Sequence, residues 1–198
     1  MHNQQSFPTQ FKDVAAIVDG VNVGALRPSV EPQQTIMYSG KKKYHIANML
    51  FVITTNGIPI FASTLLPGSM NDQAMWNCSN LRQRFVGKSS EVMGDGMFTL
   101  NRKREKNTIT GKTPFTHKHL NRSLTQEKKN YNSRLETIRV EVEHFFARMK
   151  NYTFVGSKYC HFSLVSLSNL NLELVLRAVA KIVSLKFQSF PPPLIPTL

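Results

Sequence analysis

An α/β architecture with a mixed sheet flanked by helices is expected from two features of this chain. Short runs rich in β-branched and aromatic residues, at 14–18, 44–53, 58–66 and 91–93, are set off by Gly, Pro, Asn and Ser. Two helical segments follow, one with a clear helical period and one apolar over much of its surface. Several strands, a helix, another strand and two helices describe a layered sheet protein and do not suit an all-α module.

Val14-Ala15-Ala16-Ile17-Val18 reads as a fully buried strand that ends at Asp19-Gly20. Pro28 and Pro32 lie among polar residues and indicate a loop. Residues 44–53 and 58–66 are apolar runs joined through Asn56-Gly57, a strong hairpin signal with positive φ expected at both residues. Pro59 donates no N–H and belongs at the start or edge of its strand. Residues 73–86 form a candidate helix after the turn-like Pro67-Gly68-Ser69, and 91–93 a short strand leading into Gly94-Asp95-Gly96. Residues 101–130 are mostly polar and basic, and read as a long loop: either a solvated linker or a DNA-contacting element.

From Ser133 to Tyr152 the apolar residues Leu135, Ile138, Val142, Phe145, Phe146 and Met149 recur on one helical face. The segment 170–186 carries Leu172, Leu174, Val175, Leu176, Val179, Ile182 and Val183, and is expected to pack into the core. The proline-rich end reads as a polyproline-like tail. These limits give one domain over 7–187 and a disordered tail over 188–198.

A chain of 198 residues, 41% hydrophobic with thirteen Phe, can bury a core of ordinary size. Twenty-five Lys+Arg against twelve Asp+Glu leave a net charge of +13, which favours polyanions, above all nucleic acid. Cys78 and Cys160 form neither a CxxC nor a disulfide framework, which fits a reduced compartment. The start carries no signal peptide, and no stretch nears 18 consecutive apolar residues. A soluble intracellular protein without a membrane span is expected.

Four of the twelve acids stand at informative places. Asp19 ends an apolar run, Asp72 follows a turn, Asp95 follows a short strand, and Glu143 lies on the amphipathic helix. Acids brought together from strand ends and a helix would hold divalent metal against a phosphodiester, since Mg²⁺ takes oxygen ligands and needs neither Cys nor His. On the helix, Arg139, Glu143 and Lys150 line one border of the apolar stripe, while Glu141 falls on the other border with Arg148. Two surface ion-pair rows flanking a core helix is the competing reading. The run Lys41-Lys42-Lys43, beside Tyr38, Tyr44 and His45, is either a solvated edge or a phosphate contact. His117-Lys118-His119 has no partner at ligand spacing and reads as loop. Neither cysteine has a readable base, which argues against thiol catalysis.

Taken together, these motifs resemble a known family. Val14-Ala15-Ala16-Ile17-Val18-Asp19-Gly20 is similar to its first catalytic strand. Tyr38-Ser39-Gly40-Lys41-Lys42-Lys43-Tyr44-His45, followed by Pro67-Gly68-Ser69-Met70-Asn71-Asp72, resembles its central signature. Gly94-Asp95-Gly96-Met97-Phe98 resembles its Gly-Asp strand end, and Arg139-Val140-Glu141-Val142-Glu143 with Lys150 resembles its Arg-x-x-x-Glu-x6-Lys helix. The family is that of the PIF/Harbinger-type DDE transposases and harbinger-derived nucleases, and the resemblance spans about residues 7–185. It implies an RNase H-like fold and metal-dependent cleavage of DNA, with Mg²⁺ or Mn²⁺ as cofactor.

By the same resemblance, Asp19, Asp95 and Glu143 would be the catalytic, metal-holding triad and Asp72 a further metal-site acid. Arg139 and Lys150 would orient Glu143 or meet phosphate, and Lys41, Lys42 and Lys43 would lie near DNA; Glu141 matches no acidic position. Only 18 residues precede Asp19. The family's N-terminal helix-turn-helix is therefore expected to be missing, and a separate DNA-binding partner protein would supply recognition. In a eukaryotic host the implied location is the nucleus. The competing function is a domesticated, catalytically silent DNA-binding or partner-binding module. A basic RNA-associated structural protein would explain the charge but not the acids.

Overall fold

A computed structural model describes residues 11, 13–79, 81–85, 91–98, 111–115, 124–156 and 168–189. Its elements are β1 (Val14–Gly24), α1 (Gln33–Met37), β2 (Tyr38–Ser39), β3 (Tyr44–Thr54), β4 (Pro59–Ala62), β5 (Leu66–Pro67), α2 (Asp72–Cys78), α3 (Leu81–Phe85), β6 (Glu91–Met93), β7 (Gly111–Lys112), α4 (Gln126–Lys150), α5 (Thr153–Gly156) and α6 (Ser168–Ser189).

The mixed α/β expectation holds. One sheet runs β2-β3-β1-β6-β7, with β4 and β5 also on β3. β1 and β3 pair antiparallel from Ala16↔Thr54 to Gly24↔Ile46, whereas β6 lies parallel to β1 and β7 parallel to β6. The other edge of β3 is taken in turn by β2 at His45, β5 at Ala47–Asn48 and β4 at Phe51–Ile53. Paired along both edges, β3 is buried from Ile46 to Ile53, which accounts for its near-continuous apolar run.

Strand alternation divides the core into two layers. Ile17, Val21 and Val23 of β1 join Ala47, Met49, Phe51 and Ile53 of β3 under α4 and α6. Ala16, Val18, Leu50 and Val52 point the other way, onto Met75 and Trp76 of α2, Leu81 of α3, and Phe98. All six stripe residues of α4 are buried, as its period predicts.

Several expectations are corrected. β1 does not end at Asp19 but continues to Gly24, because β3 offers partners as far as Ile46. The helix expected over 73–86 is two, α2 and α3, separated at Ser79, whose extended backbone ends the first. In the hairpin only Gly57 takes positive φ, at 74°. Its N–H donates to the Thr54 carbonyl at 3.0 Å, and Thr54 N–H to Ile58 O at 2.8 Å, closing a three-residue loop with a left-handed glycine last. Pro59 opens β4, where its missing N–H is tolerated.

α4 begins at Gln126, a turn and more before the apolar period starts. Thr125 caps it by accepting from Lys128 N–H, and the polar first turns face solvent, so periodicity carries no signal there. Part of the expected 101–130 loop is β7, and the rest of it, with His117-Lys118-His119, lies mostly outside the described residues. α6 buries Leu172, Leu176, Val179 and Val183, but Leu174 and Ile182 are exposed, so it enters the core by one face only. Arg177 fastens it: its guanidinium donates to Ser63 O at 2.9 Å and bridges Glu173 at 2.8 Å, while Glu173 accepts from Leu65 N–H. The tail from 190 and Cys160 lie outside the described residues. Among the described residues no helix is long and apolar enough to cross a membrane.

Candidate active site

Asp19 sits in the α4-facing row of β1 between Ile17 and Val21, interrupting an otherwise apolar stripe. Being mid-strand, its backbone is held by pairing with Phe51 of β3. The parallel ladder to β6 pairs Ile17 with Met93. Two residues on from that pair come Asp19, still within β1, and Asp95, just past the end of β6, so the register starts both carboxylates from one level of the sheet. Asp95 is fixed in a turn: its Oδ1 accepts from Met97 N–H at 2.7 Å and its carbonyl from Phe98 N–H at 3.1 Å.

Asp72 reaches the same place from the opposite layer. It is the first residue of α2, where Asn71 caps the helix by accepting Ala74 N–H at 2.8 Å. A Cβ at Gly20 would lie 3.3 Å from Asp72 Oδ1 and 3.0 Å from Met75 Cε, so the bare glycine beside Asp19 lets α2 approach. Asn48, buried in β3, holds the preceding turn. Its Nδ2 donates to Pro67 O at 2.9 Å and Met70 O at 3.2 Å, while its Oδ1 accepts Asn22 Nδ2 at 2.7 Å. Sequence reasoning passed over both asparagines. The signal was an amide inside an apolar run, which needs buried partners.

The electrostatics record this convergence. Burial pushes the Asp19 carboxyl up from 3.8 to about 6, and the charges of Asp95 and Asp72 add to the rise. The Gly20 N–H, which donates to Asp19 Oδ1 at 2.8 Å, and the Arg139 guanidinium oppose it. Asp72 is also raised, by burial first and then by Asp95, with Lys41 opposing. Asp19 thus feels Asp95, Asp72 and Arg139 of α4, while Asp72 feels Asp95 and Lys41 of the β2–β3 hairpin.

The remaining residues stand further out. Glu143 is exposed on α4, one turn or about 6 Å beyond Arg139 along the axis. Among the described residues its charge is not one of those that move Asp19. Glu141 is half-buried on α4. Lys150 ends α4, exposed, about 10 Å along the axis from Glu143. Lys41, Lys42 and Lys43 are exposed at the hairpin tip, where Ser39 Oγ accepts Lys42 N–H and Ser39 O accepts Lys43 N–H at 2.8 Å. Lys43 has φ of 64°, a left-handed conformation that costs a non-glycine residue roughly 1 kcal/mol.

Oxygen donors on half-buried, mutually repelling carboxylates are the chemistry that Mg²⁺ and Mn²⁺ take up, and a divalent charge would relieve the repulsion. The donor set fits, although among the described residues no three acids, His or Cys already stand close enough to hold an ion.

No curated protein and no solved structure matches this chain. A family model described as DDE superfamily endonuclease matches residues 18–183, a span that contains all four acids. The chain therefore belongs to the DDE superfamily endonucleases.

Proposed function

We propose that this chain is the catalytic domain of a PIF/Harbinger-type transposase or nuclease, with an RNase H-like fold, that cleaves DNA phosphodiesters with Mg²⁺ or Mn²⁺. The observation that supports the reading is the approach of Asp72 and Asp95 to Asp19 on a chain of net charge +13: burial raises the Asp19 carboxyl first, the charges of Asp95 and Asp72 add to the rise, and Arg139 opposes it. Asp19 and Asp95 would hold the metal, with Glu143 completing the set from α4 and Asp72 as an auxiliary acid. A bound ion would stabilise charge on the phosphate and on the leaving oxygen.

The chain's own residues supply the rest. Arg139 neutralises and orients Asp19, so that two carboxylates can stay ionised side by side. Lys41, Lys42 and Lys43 on the hairpin, and Lys150 at the end of α4, hold the phosphates on either side of the acids. Glu141 has no role in the site. A separate DNA-binding protein would direct cleavage to chosen ends, and in a eukaryotic host the work is done in the nucleus.

Purified protein should nick supercoiled DNA only with Mg²⁺ or Mn²⁺ present, and Asp19→Ala, Asp95→Ala and Glu143→Ala should each abolish nicking. Nicking that survives all three substitutions would sink the assignment. The second reading, a catalytically silent DNA-binding or partner-binding module, draws on the exposed, outlying Glu143. It predicts salt-sensitive DNA binding without metal-dependent cleavage, even with a recognition partner supplied.

A further inference from the structure

We infer that the β2–β3 hairpin is a stacking site for an unpaired DNA base next to the phosphate being cut. This rests on the nuclease reading above and names the form of DNA that the site takes. Tyr38 and His45 are cross-strand partners whose ring centroids lie 5.5 Å apart at 68°. His45 buttresses the tyrosine, yet Tyr38 stays 41% exposed, an aromatic surface held open to solvent. The turn after it presents Lys41, Lys42 and Lys43, with the Lys42 and Lys43 N–H groups donating to Ser39.

The hairpin is also tied to the acids. Ser69 N–H donates to Ile36 O at 3.0 Å, which links the residue two before Tyr38 to the residue three before Asp72. Gly68 makes that approach possible, since a Cβ there would collide with the carbonyls of Met37 and Ile46. Aromatic, cations and carboxylates thus share one frame. Lysines hold phosphates of any DNA. A base pair inside a duplex, however, has both faces covered by its neighbours in the stack, whereas an unpaired base beside the cut has a face free for Tyr38. The preferred ligand is duplex DNA that carries unpaired nucleotides at or beside the cut.

The test is equilibrium binding in chelator, so that no cleavage is needed, with a blunt duplex and the same duplex bearing a short unpaired tail. A fluorescent adenine analogue in the tail reports stacking by its quenching. Wild-type protein should bind the tailed duplex about tenfold more tightly and quench the analogue. Tyr38→Ala and Tyr38→Leu should lose preference and quenching while binding blunt duplex as before, and Tyr38→Phe should keep both. Lys42→Ala should weaken both duplexes alike. No tail preference in the wild type, or preference surviving in Tyr38→Leu, overturns the inference. Preference lost in Lys42→Ala but kept in Tyr38→Leu would assign it to charge and likewise overturn it. A tail preference in a protein that never nicks DNA sinks only the nuclease reading, whereas nicking with no effect of Tyr38 sinks only the stacking site.

Discussion

Asp19 and Asp95 each lie two residues beyond the Ile17–Met93 step of a parallel ladder, and burial, with the charge of Asp95 adding to it, lifts the Asp19 carboxyl to about 6. Asp19 is fixed by its pairing in β1 and Asp95 by the turn that follows β6, so both carboxylates are anchored by backbone. Burial makes the Asp19 charge costly in the folded state, and a proton or a cation would offset that cost.

Stability should therefore depend on pH through Asp19, with an unusual sign for an aspartate. The folded state keeps this proton up to about pH 6, while the unfolded chain releases it near 3.8. Between these values the folded state binds more protons, so stability contributed by Asp19 falls as pH rises through the window and is lowest above it. In metal-free buffer, Asp19→Asn should remove that fall and stabilise the protein at neutral pH by on the order of 1–3 kcal/mol. Denaturant titrations of both proteins across the window check it, and a difference independent of pH would refute it.

A divalent cation should do at neutral pH what the proton does below it. Mn²⁺ or Mg²⁺ at about a hundred times its dissociation constant should stabilise the fold by about 2.7 kcal/mol, read as a rise in melting temperature. Asp19→Asn and Asp95→Asn should lose the rise, and Glu141→Gln should keep it. An equal rise in all four proteins would mean the ion binds elsewhere.

Arg139 should matter to catalysis, because its charge opposes the rise of the Asp19 carboxyl. Arg139→Ala is expected to lower metal-dependent nicking about 10- to 100-fold, the usual cost of removing a group that orients a ligand. Glu141→Ala should nick at the wild-type rate. Equal loss in both variants would point to general damage to α4.

Asn48 should be a pillar of the fold beneath Asp72. Asn48→Leu strands the Asn22 amide and the carbonyls of Pro67 and Met70, and should cost about 2–4 kcal/mol by denaturant unfolding. Gly68→Ala should be at least as damaging, because its Cβ meets two backbone carbonyls that cannot rotate away. A loss below about 0.5 kcal/mol in either variant would count against this account of the turn.

Much of this was legible in the residues. Local patterns gave the buried stripe of α4, the turn at Asn56-Gly57 and the short strand before Asp95. Patterns of this kind depend on a few neighbouring residues, so a single chain displays them. The break between α2 and α3 and the polar start of α4 were missed, because exposed turns leave no periodic mark. The length of β1 was missed because it depends on a partner: Val21 and Val23 alternate as a strand should, but Asp19 hid the pattern until β3 supplied the pairing. The same non-local register is what sets Asp19 beside Asp95, lets Asp72 approach across Gly20, and leaves Glu143 exposed a turn past Arg139. Which acids exist is a property of the sequence; which of them share a charge environment is decided by strand pairing and layer packing, which act between residues far apart in the chain.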